Sequence, residues 1–486
     1  MPADDSSDLD DLALIATGRR RLLIPLVVAF AFFLEQLDAT IITTAIPDMA
    51  RSLDTTALRL NLALTAYMIT VAVFIPLSGW LADRFGMRRT LCSAIGVFTL
   101  GSVLCGLAWS LNTLVAARVL QGLGGAMMAP VGRLIMLRSF PRSELARAMT
   151  WVALPAILGP TMGPLLGGLI TTHIGWRWIF YVNLPFGLLG MVLAWIYVRE
   201  AFGVTAARFD LKGFLLCAAA AALAEAGMEA LGHHLVPVWT VLLIFATAAA
   251  CLIGYAGYAT NKVAPVLDLT LLRIRSFRVA LLIGAVSRLS IAAVPFMLPL
   301  LLQVGFGFSP VLSGSITFVS SIGALFVRSM SVHLFRLFGF DRLLVANTVI
   351  TAAVVAGFAL FGPHTPIWLM LAYIFGFGIV RNIQFNTIQT LTYSDVPRPV
   401  LSRATSLGGV LQQLALSFGV SVSATLLGLV AGPGGTVSVA DFRLVFLLLA
   451  GLTLLSVPGF LALTPEDGIL VSNHRRRGVT PPDTAD

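Results

Sequence analysis

Apolar runs of about twenty residues recur from end to end of this chain, and they limit its fold more than any single motif does. A helix rises ~1.5 Å per residue, so about 20 apolar residues cross a hydrocarbon layer ~30 Å thick. Fourteen stretches qualify: roughly 22–46, 60–82, 90–109, 113–137, 147–172, 178–198, 213–231, 237–260, 279–303, 311–335, 343–361, 366–392, 404–430 and 443–464. Lipid offers no partner to a backbone amide, so each run must bond internally as a helix. The chain is 58% hydrophobic and 11% charged, against about 25% charged in soluble domains. The expectation is an all-α polytopic membrane protein.

The basic residues test this map. With both termini in the cytosol, 23 of the 32 Lys and Arg fall on that side, 4 fall outside and 5 lie within spans. Cytosolic loops carry such an excess, and adding or removing one span would destroy the alternation. The same short basic groups argue against nucleic acid, which needs a continuous basic stripe. No cleavable signal is expected: the N-terminus is acidic, and Arg19-Arg20-Arg21 precedes a run too long for a signal-peptide core. The longest polar connections, 199–212 and 261–278, bracket runs seven and eight. The chain therefore divides into a tail (1–21), a six-helix half (22–198), a two-helix insert with linkers (199–278), a second half (279–464) and a tail (465–486). Transporters are often built from such paired halves.

Ionisable side chains inside the spans are the candidate functional residues, because charges at membrane depth are costly and mark pathways. Glu35 and Asp38 lie three apart on the first span, on one helix face. Arg118 and Arg133 are on the fourth, Arg288 on the ninth, Arg328 on the tenth and Arg381 on the twelfth. Asp38 is in the outer half of its span and Arg118 near the outer end of its own, so the two are expected to approach, which would keep the carboxylate ionised until the pair is disturbed. Arg133 lies near the inner mouth, where snorkelling to headgroups is the alternative. Glu225 and Glu229 stand on the seventh span, Glu225 the deeper.

Other chemistry is poorly supported. No G-x-x-x-x-G-K-[ST] run is present, so nucleotide-driven pumping is not encoded here. The four cysteines sit in apolar runs without metal-ligand spacing and read as packing residues. His233-His234 reads as a solvated loop, and His333 as a helix-end group that could titrate. No metal site, no cofactor and no enzyme activity are expected.

Several stretches converge on one family. GWLADRFGMRR, 79–89, joins spans two and three, with Gly79 suited to close helix approach and Asp83 able to pair with a neighbouring Arg; Arg84, Gly86, Arg88 and Arg89 complete it. It resembles the cytosolic signature of the major facilitator superfamily. A degenerate copy, HLFRLFGFDR, 333–342, joins spans ten and eleven. RVLQGLGGAMM, 118–128, resembles the superfamily's fourth-span motif. LGPTMGPLLGG, 158–168, resembles the fifth-span signature of its antiporters: Gly159, Gly163 and Gly167 repeat every four residues, followed by Gly168, while Pro160 and Pro164 remove backbone donors. LDATIITTAIP, 37–47, and WRWIFYVNLPFG, 176–187, are similar to motifs of the fourteen-span drug:proton antiporter branch.

The resemblance implies the major facilitator fold with a cavity lined by the first, fourth, ninth and twelfth spans here. It implies proton coupling through Asp38 and Arg118, with Glu35 a further candidate of uncertain role, and a substrate cavity carrying Arg288, Arg381, Arg328, Arg133 and Gln121. The insert packs peripherally in the family. Energy would come from the proton gradient, with membrane lipid, a proton and a small-molecule substrate as partners. A monomer in the bacterial inner membrane is expected; an accessory efflux protein is left open. The main reading is proton-coupled export of drugs or small metabolites. Excess buried arginine also favours an organic anion such as citrate or its metal chelate. Inward proton symport and a non-transporting receptor or scaffold are the alternatives.

Overall fold

The computed structural model describes residues 20–140, 159, 162–200, 209–232, 236–260, 262, 265–327, 331–397, 400–432 and 437–468. Among these there is no strand, and thirteen helices are long and apolar enough to cross a membrane. We number them by span: α1 Leu22–Thr44, α2 Asn61–Phe85, α3 Met87–Gly106, α4 Leu111–Met136, α6 Trp178–Tyr197, α7 Leu211–Met228, α8 Val238–Ala259, α9 Arg275–Gly305, α10 Pro310–Val327, α11 Leu337–Leu360, α12 Ile367–Ser394, α13 Arg403–Ala431 and α14 Val439–Phe460. The remaining helix, α5, covers 162–173 and stands where the sequence places the fifth span. Arg328, Pro160, His233 and His234, and the side chains of Glu229 and His333, lie outside the described residues.

Local chemistry sets the helix ends. Ser110 and Ser438 each make a capping box, with Thr113 and with Asp441, at the starts of α4 and α14. Between α2 and α3 the chain turns at Gly86, φ 92°, and it kinks at the start of α11 at Gly339, φ 71°. These are the glycines of the two copies of the loop motif, and the left-handed backbone explains why each copy keeps one.

The apolar cores reveal how the halves meet. On the side away from the tails, one continuous cluster takes residues from both halves: Ile41, Leu60 and Leu114 from the first, Met297, Phe358, Leu427 and Phe446 from the second. On the tail side the cores are separate. One holds Ile24, Leu91 and Ile135, all from the first half; another holds Val279, Leu344, Leu391 and Phe460, all from the second. Polar and backbone contacts repeat this: Gln303 Nε2 donates to the Thr44 carbonyl at 3.1 Å, and α5 and α10 touch so closely that a Cβ on Gly314 would lie 2.2 Å from the Pro164 carbonyl oxygen. The halves are clamped on the far side and part toward the tails. A further cluster, with Tyr255 and Ala259 of the insert and Phe277 and Ala404 beyond it, takes Ile75 of the first half against its edge; in the orientation expected from the charge bias, the clamped side is the outer one.

The insert is not peripheral to this junction. α7 packs on both α2 and α13, the helices through which the two halves also touch.

Candidate functional site

The sequence forces α5 against α1. A Cβ at Gly159 would lie 2.9 Å from the Leu37 amide nitrogen, at Gly163 2.1 Å from Thr40 Oγ1, and at Gly167 2.2 Å from the Ile41 carbonyl oxygen. The glycine stripe is a seat for α1, and α1 carries the two acids.

Asp38 is 0% exposed and Arg118 1%. Arg118 Nη1 donates to Asp38 Oδ2 at 2.6 Å. Gln121 Nε2 donates to Asp38 Oδ1 at 2.8 Å, and Asn183 Nδ2 donates to the same oxygen at 3.0 Å. The carboxyl group thus accepts three hydrogen bonds from α4 and α6, an arrangement that suits the carboxylate. Arg118 is held in turn by Gln121 Oε1 at 2.7 Å, by the Ala63 carbonyl at 3.3 Å, and by the face of Tyr67, 4.2 Å from the ring centre. Asn183 also donates to Ser102 Oγ at 3.0 Å. Five helices, α1, α2, α3, α4 and α6, supply one buried polar cluster. Within it the Asn183 Oδ1 and the Tyr67 hydroxyl have no partner among the described residues.

Gln121 was expected to line a substrate cavity. It is instead fully buried with both ends of its amide engaged inside the Asp38 cluster, so it positions the ion pair. Asn183 carries no role in the sequence reading, although it lies within the WRWIFYVNLPFG stretch; its signal was a polar amide in the opening turn of an apolar span.

Glu35 sits one turn toward the tails and is half-buried. Its Oε2 is buried without a hydrogen-bond partner among the described residues. It lies in electrostatic reach of Asp38 on one side and Arg133 on the other. The Tyr67 hydroxyl, also without a partner among the described residues, lies in reach of both acids. Arg133 is exposed and stands over the Phe32 ring at 5.9 Å.

The second half places two cations toward the parted side. Arg288 is 2% exposed; its Nη2 donates to Gln389 Oε1 at 3.4 Å, and its Nε has no acceptor. Arg381 stands 5.9 Å from the Phe377 ring centre. No carboxylate among the described residues is within ion-pair distance of either. Tyr393 is in electrostatic reach of both Arg288 and Arg133, so α4, α9 and α12 face one another here.

The loop motif at 79–89 is tied down on the tail side. Asp83 pairs with Arg138 at 3.1 Å, and Arg88 and Arg89 pair with Glu200 at 3.5 and 3.6 Å. Glu200, which the sequence reading did not assign, also accepts from the Arg88 amide and fills the space beside Gly86. Arg84 is exposed. Gly79 does not serve close helix approach: a Cβ there would meet nothing within 4 Å.

Thirteen apolar helices with a charged cluster sealed between them suit a multi-pass membrane transporter. The chain belongs to the major facilitator superfamily, whose model matches residues 28–420. It is 39% identical over 410 residues to "Putative multidrug resistance protein MdtD" of Pectobacterium atrosepticum, covering 84% of this chain and 87% of that one. It is 37% identical over 457 residues to the protein of the same name from Pectobacterium carotovorum, covering 93% and 97%. Its fold is similar to the crystal structure of a D-xylose-proton symporter, with TM-score 0.67, 15% identity, and coverage of 92% of this chain and 98% of that one. The solved nucleoside transporter NupG gives TM-score 0.64 at 13% identity, covering 90% and 99%. These bacterial relatives and the thirteen apolar helices make it a multi-pass protein of the bacterial inner membrane.

Proposed function

We propose that this chain is a proton-coupled exporter working by alternating access, with Asp38 as the proton site. The buried Asp38–Arg118 pair carries the reading. With the outer side clamped, the pair is closed and buried, the arrangement we assign to a site that has released its proton to the cytosol. Glu35, Tyr67 and Arg133 line the way from Asp38 toward the parted side. When a proton arrives from outside, neutral Asp38 no longer balances Arg118, and the five-helix cluster must rearrange. One charge change then biases the rocking of the halves. The names of the MdtD relatives support drug export. The test is proton-driven uptake into inside-out proteoliposomes. Asp38→Asn is expected to abolish the response to an imposed pH gradient while leaving substrate binding. Intact coupling in that variant would remove Asp38 from the mechanism.

The substrate we favour is anionic. Arg288 and Arg381 have no acid beside them among the described residues, and an unpaired charge at membrane depth is costly. An organic anion, citrate-like in its carboxylates, would satisfy both. Competition assays distinguish this from a polyspecific pump for lipophilic cations: organic anions should inhibit transport and lipophilic cations should not.

A further inference from the structure

The insert carries a buried acid that the proposed transport cycle does not use. Glu225, on α7, is 5% exposed. Its Oε1 accepts a hydrogen bond from Ser421 Oγ of α13 at 2.5 Å. Thr65 of α2 lies beside it, with its own hydroxyl turned to the Asn61 carbonyl at 3.1 Å. Oε2 accepts no hydrogen bond among the described residues. The carboxyl therefore lies in the seam where α2 of the first half meets α13 of the second. The surrounding bonds mark the same seam: Ser417 Oγ donates to the Thr65 carbonyl at 3.4 Å, and Thr425 Oγ1 donates to the Met228 carbonyl at 3.2 Å.

Among the described residues no cation compensates this acid. α2 carries Tyr67, Asp83 and Arg84, which stack on Arg118, pair with Arg138 and stand exposed, respectively. On α8, Tyr255 bonds to the Leu267 backbone and Tyr258 to Asp210, leaving Cys251, a free thiol. α13 offers only Arg403, which pairs with Asp268 at the other end of the helix. On α7 itself, Lys212 is more than three turns away and Cys217 two, and the side chain of Glu229 lies outside the described residues. A carboxylate here would be buried with only hydroxyls and no cation beside it among the described residues, an expensive combination. The neutral acid avoids the charge.

We propose that Glu225 is a proton-operated latch on the outer seam, through which the insert controls when the transporter opens outward. With the seam closed, the carboxyl is protonated and holds α7 to α13 beside α2. Opening the seam admits external water, which takes the proton and solvates the carboxylate; the ionised form then resists reclosure. External acid returns the proton and favours the closed seam. This gives a reason for α7 to straddle both halves. It shares with the proposed function only the rocking of the halves, because Asp38 lies in a different cluster.

The test separates the two acids. Spin labels at Arg59→Cys and Leu429→Cys, exposed positions flanking the outer ends of α2 and α13, report the seam in nanodiscs between about pH 5 and about pH 8, a range spanning the raised carboxylate values that buried sites show. The background is Asp38→Asn, which removes the proposed coupling site. The seam in that background should still close on acidification, with the closed-to-open ratio rising at least about tenfold, the shift that 1.4 kcal/mol brings. Adding Glu225→Gln should fix the seam closed at every pH, and Glu225→Asp should keep a pH response with a displaced midpoint. A pH-independent seam in the Asp38→Asn background would overturn the latch, and so would a Glu225→Gln seam that still titrates.

Discussion

The two halves solve the problem of polar groups inside a membrane in opposite ways. The first half buries a charged pair: Asp38 and Arg118 neutralise each other, with Gln121 and Asn183 taking up the remaining oxygen. The second half also joins three helices by a buried polar cluster, but it is neutral. Gln384 of α12 donates to Ser287 of α9 at 3.2 Å and to Thr348 of α11 at 2.8 Å, and accepts from Asn347 at 2.8 Å. A neutral amide network does not change with protonation, so it acts as a brace. The charged network can change, so it can act as a switch. The second half's membrane-depth charges, Arg288 and Arg381, have no acid beside them among the described residues and await something from outside the protein. In the cycle we propose, one half holds the proton chemistry and the other the recognition.

Removing one partner of the switch should have the largest effect. Arg118→Ala would strand a buried carboxylate, and breaking such pairs costs about 3–5 kcal/mol. Thermal unfolding in detergent should show that loss, and the double variant Arg118→Ala with Asp38→Asn should recover a large part of it. No recovery would mean that Arg118 acts chiefly through its packing on Tyr67. The corresponding change in the second half, Gln384→Leu, removes no charge. It should cost far less and leave proton coupling intact in the liposome assay. A loss of coupling there would break the division of labour.

Next is recognition. A hydrogen bond to a charged group contributes about 1.5–3 kcal/mol, roughly 10- to 150-fold in affinity. Arg288→Ala and Arg381→Ala should each weaken transport of an organic anion by that order, as a rise in KM. They should leave the stability of the first half unchanged. Unaltered KM for anions in both variants would leave these arginines to gating.

Packing comes third. Gly163→Val would drive a side chain into Thr40 on α1, and overpacking costs about 1–3 kcal/mol. Because α1 carries Asp38, coupling should weaken along with stability. Gly79→Ala meets open space and should change neither.

Much of this was legible because hydrocarbon imposes simple rules. The positions of the thirteen apolar helices follow from hydropathy. Asp38 meeting Arg118 followed from matching depths along α1 and α4. What stayed hidden depended on side-chain direction across helices. Gln121 faces the ion pair and not the gap, and helical spacing on one span cannot say which neighbour a face meets. Asn183 and Glu200 act on partners 145 and 112 residues away. The place of the insert was hidden for the same reason: α7 shows no sequence mark of packing on both α2 and α13.

The smallest effect tests where charge matters in the second half. The described ion pairs that flank it lie at the tail-side ends of helices: Arg403 with Asp268 of the preceding linker at 3.3 Å, and Arg275 of that linker with Asp467 of the tail at 3.0 Å. Burial alone would push the Asp268 carboxyl up, but donors from Thr270 and Arg403 outweigh it and hold the group below the usual carboxylate value. A lowered value means that the folded state favours the ionised form. The bonds therefore stabilise the protein at neutral pH, and that contribution disappears as pH falls through the lowered value. Arg403 is more than half exposed, so screening leaves the pair modest, and Asp268→Asn should cost about 1 kcal/mol. The difference from wild type should vanish on acidification, while proton-driven transport at neutral pH stays unchanged. If Asp268→Asn abolished coupling instead, the charge that holds Arg403 of the second half would belong to the switch, and the contrast between a switching half and a braced half would fail.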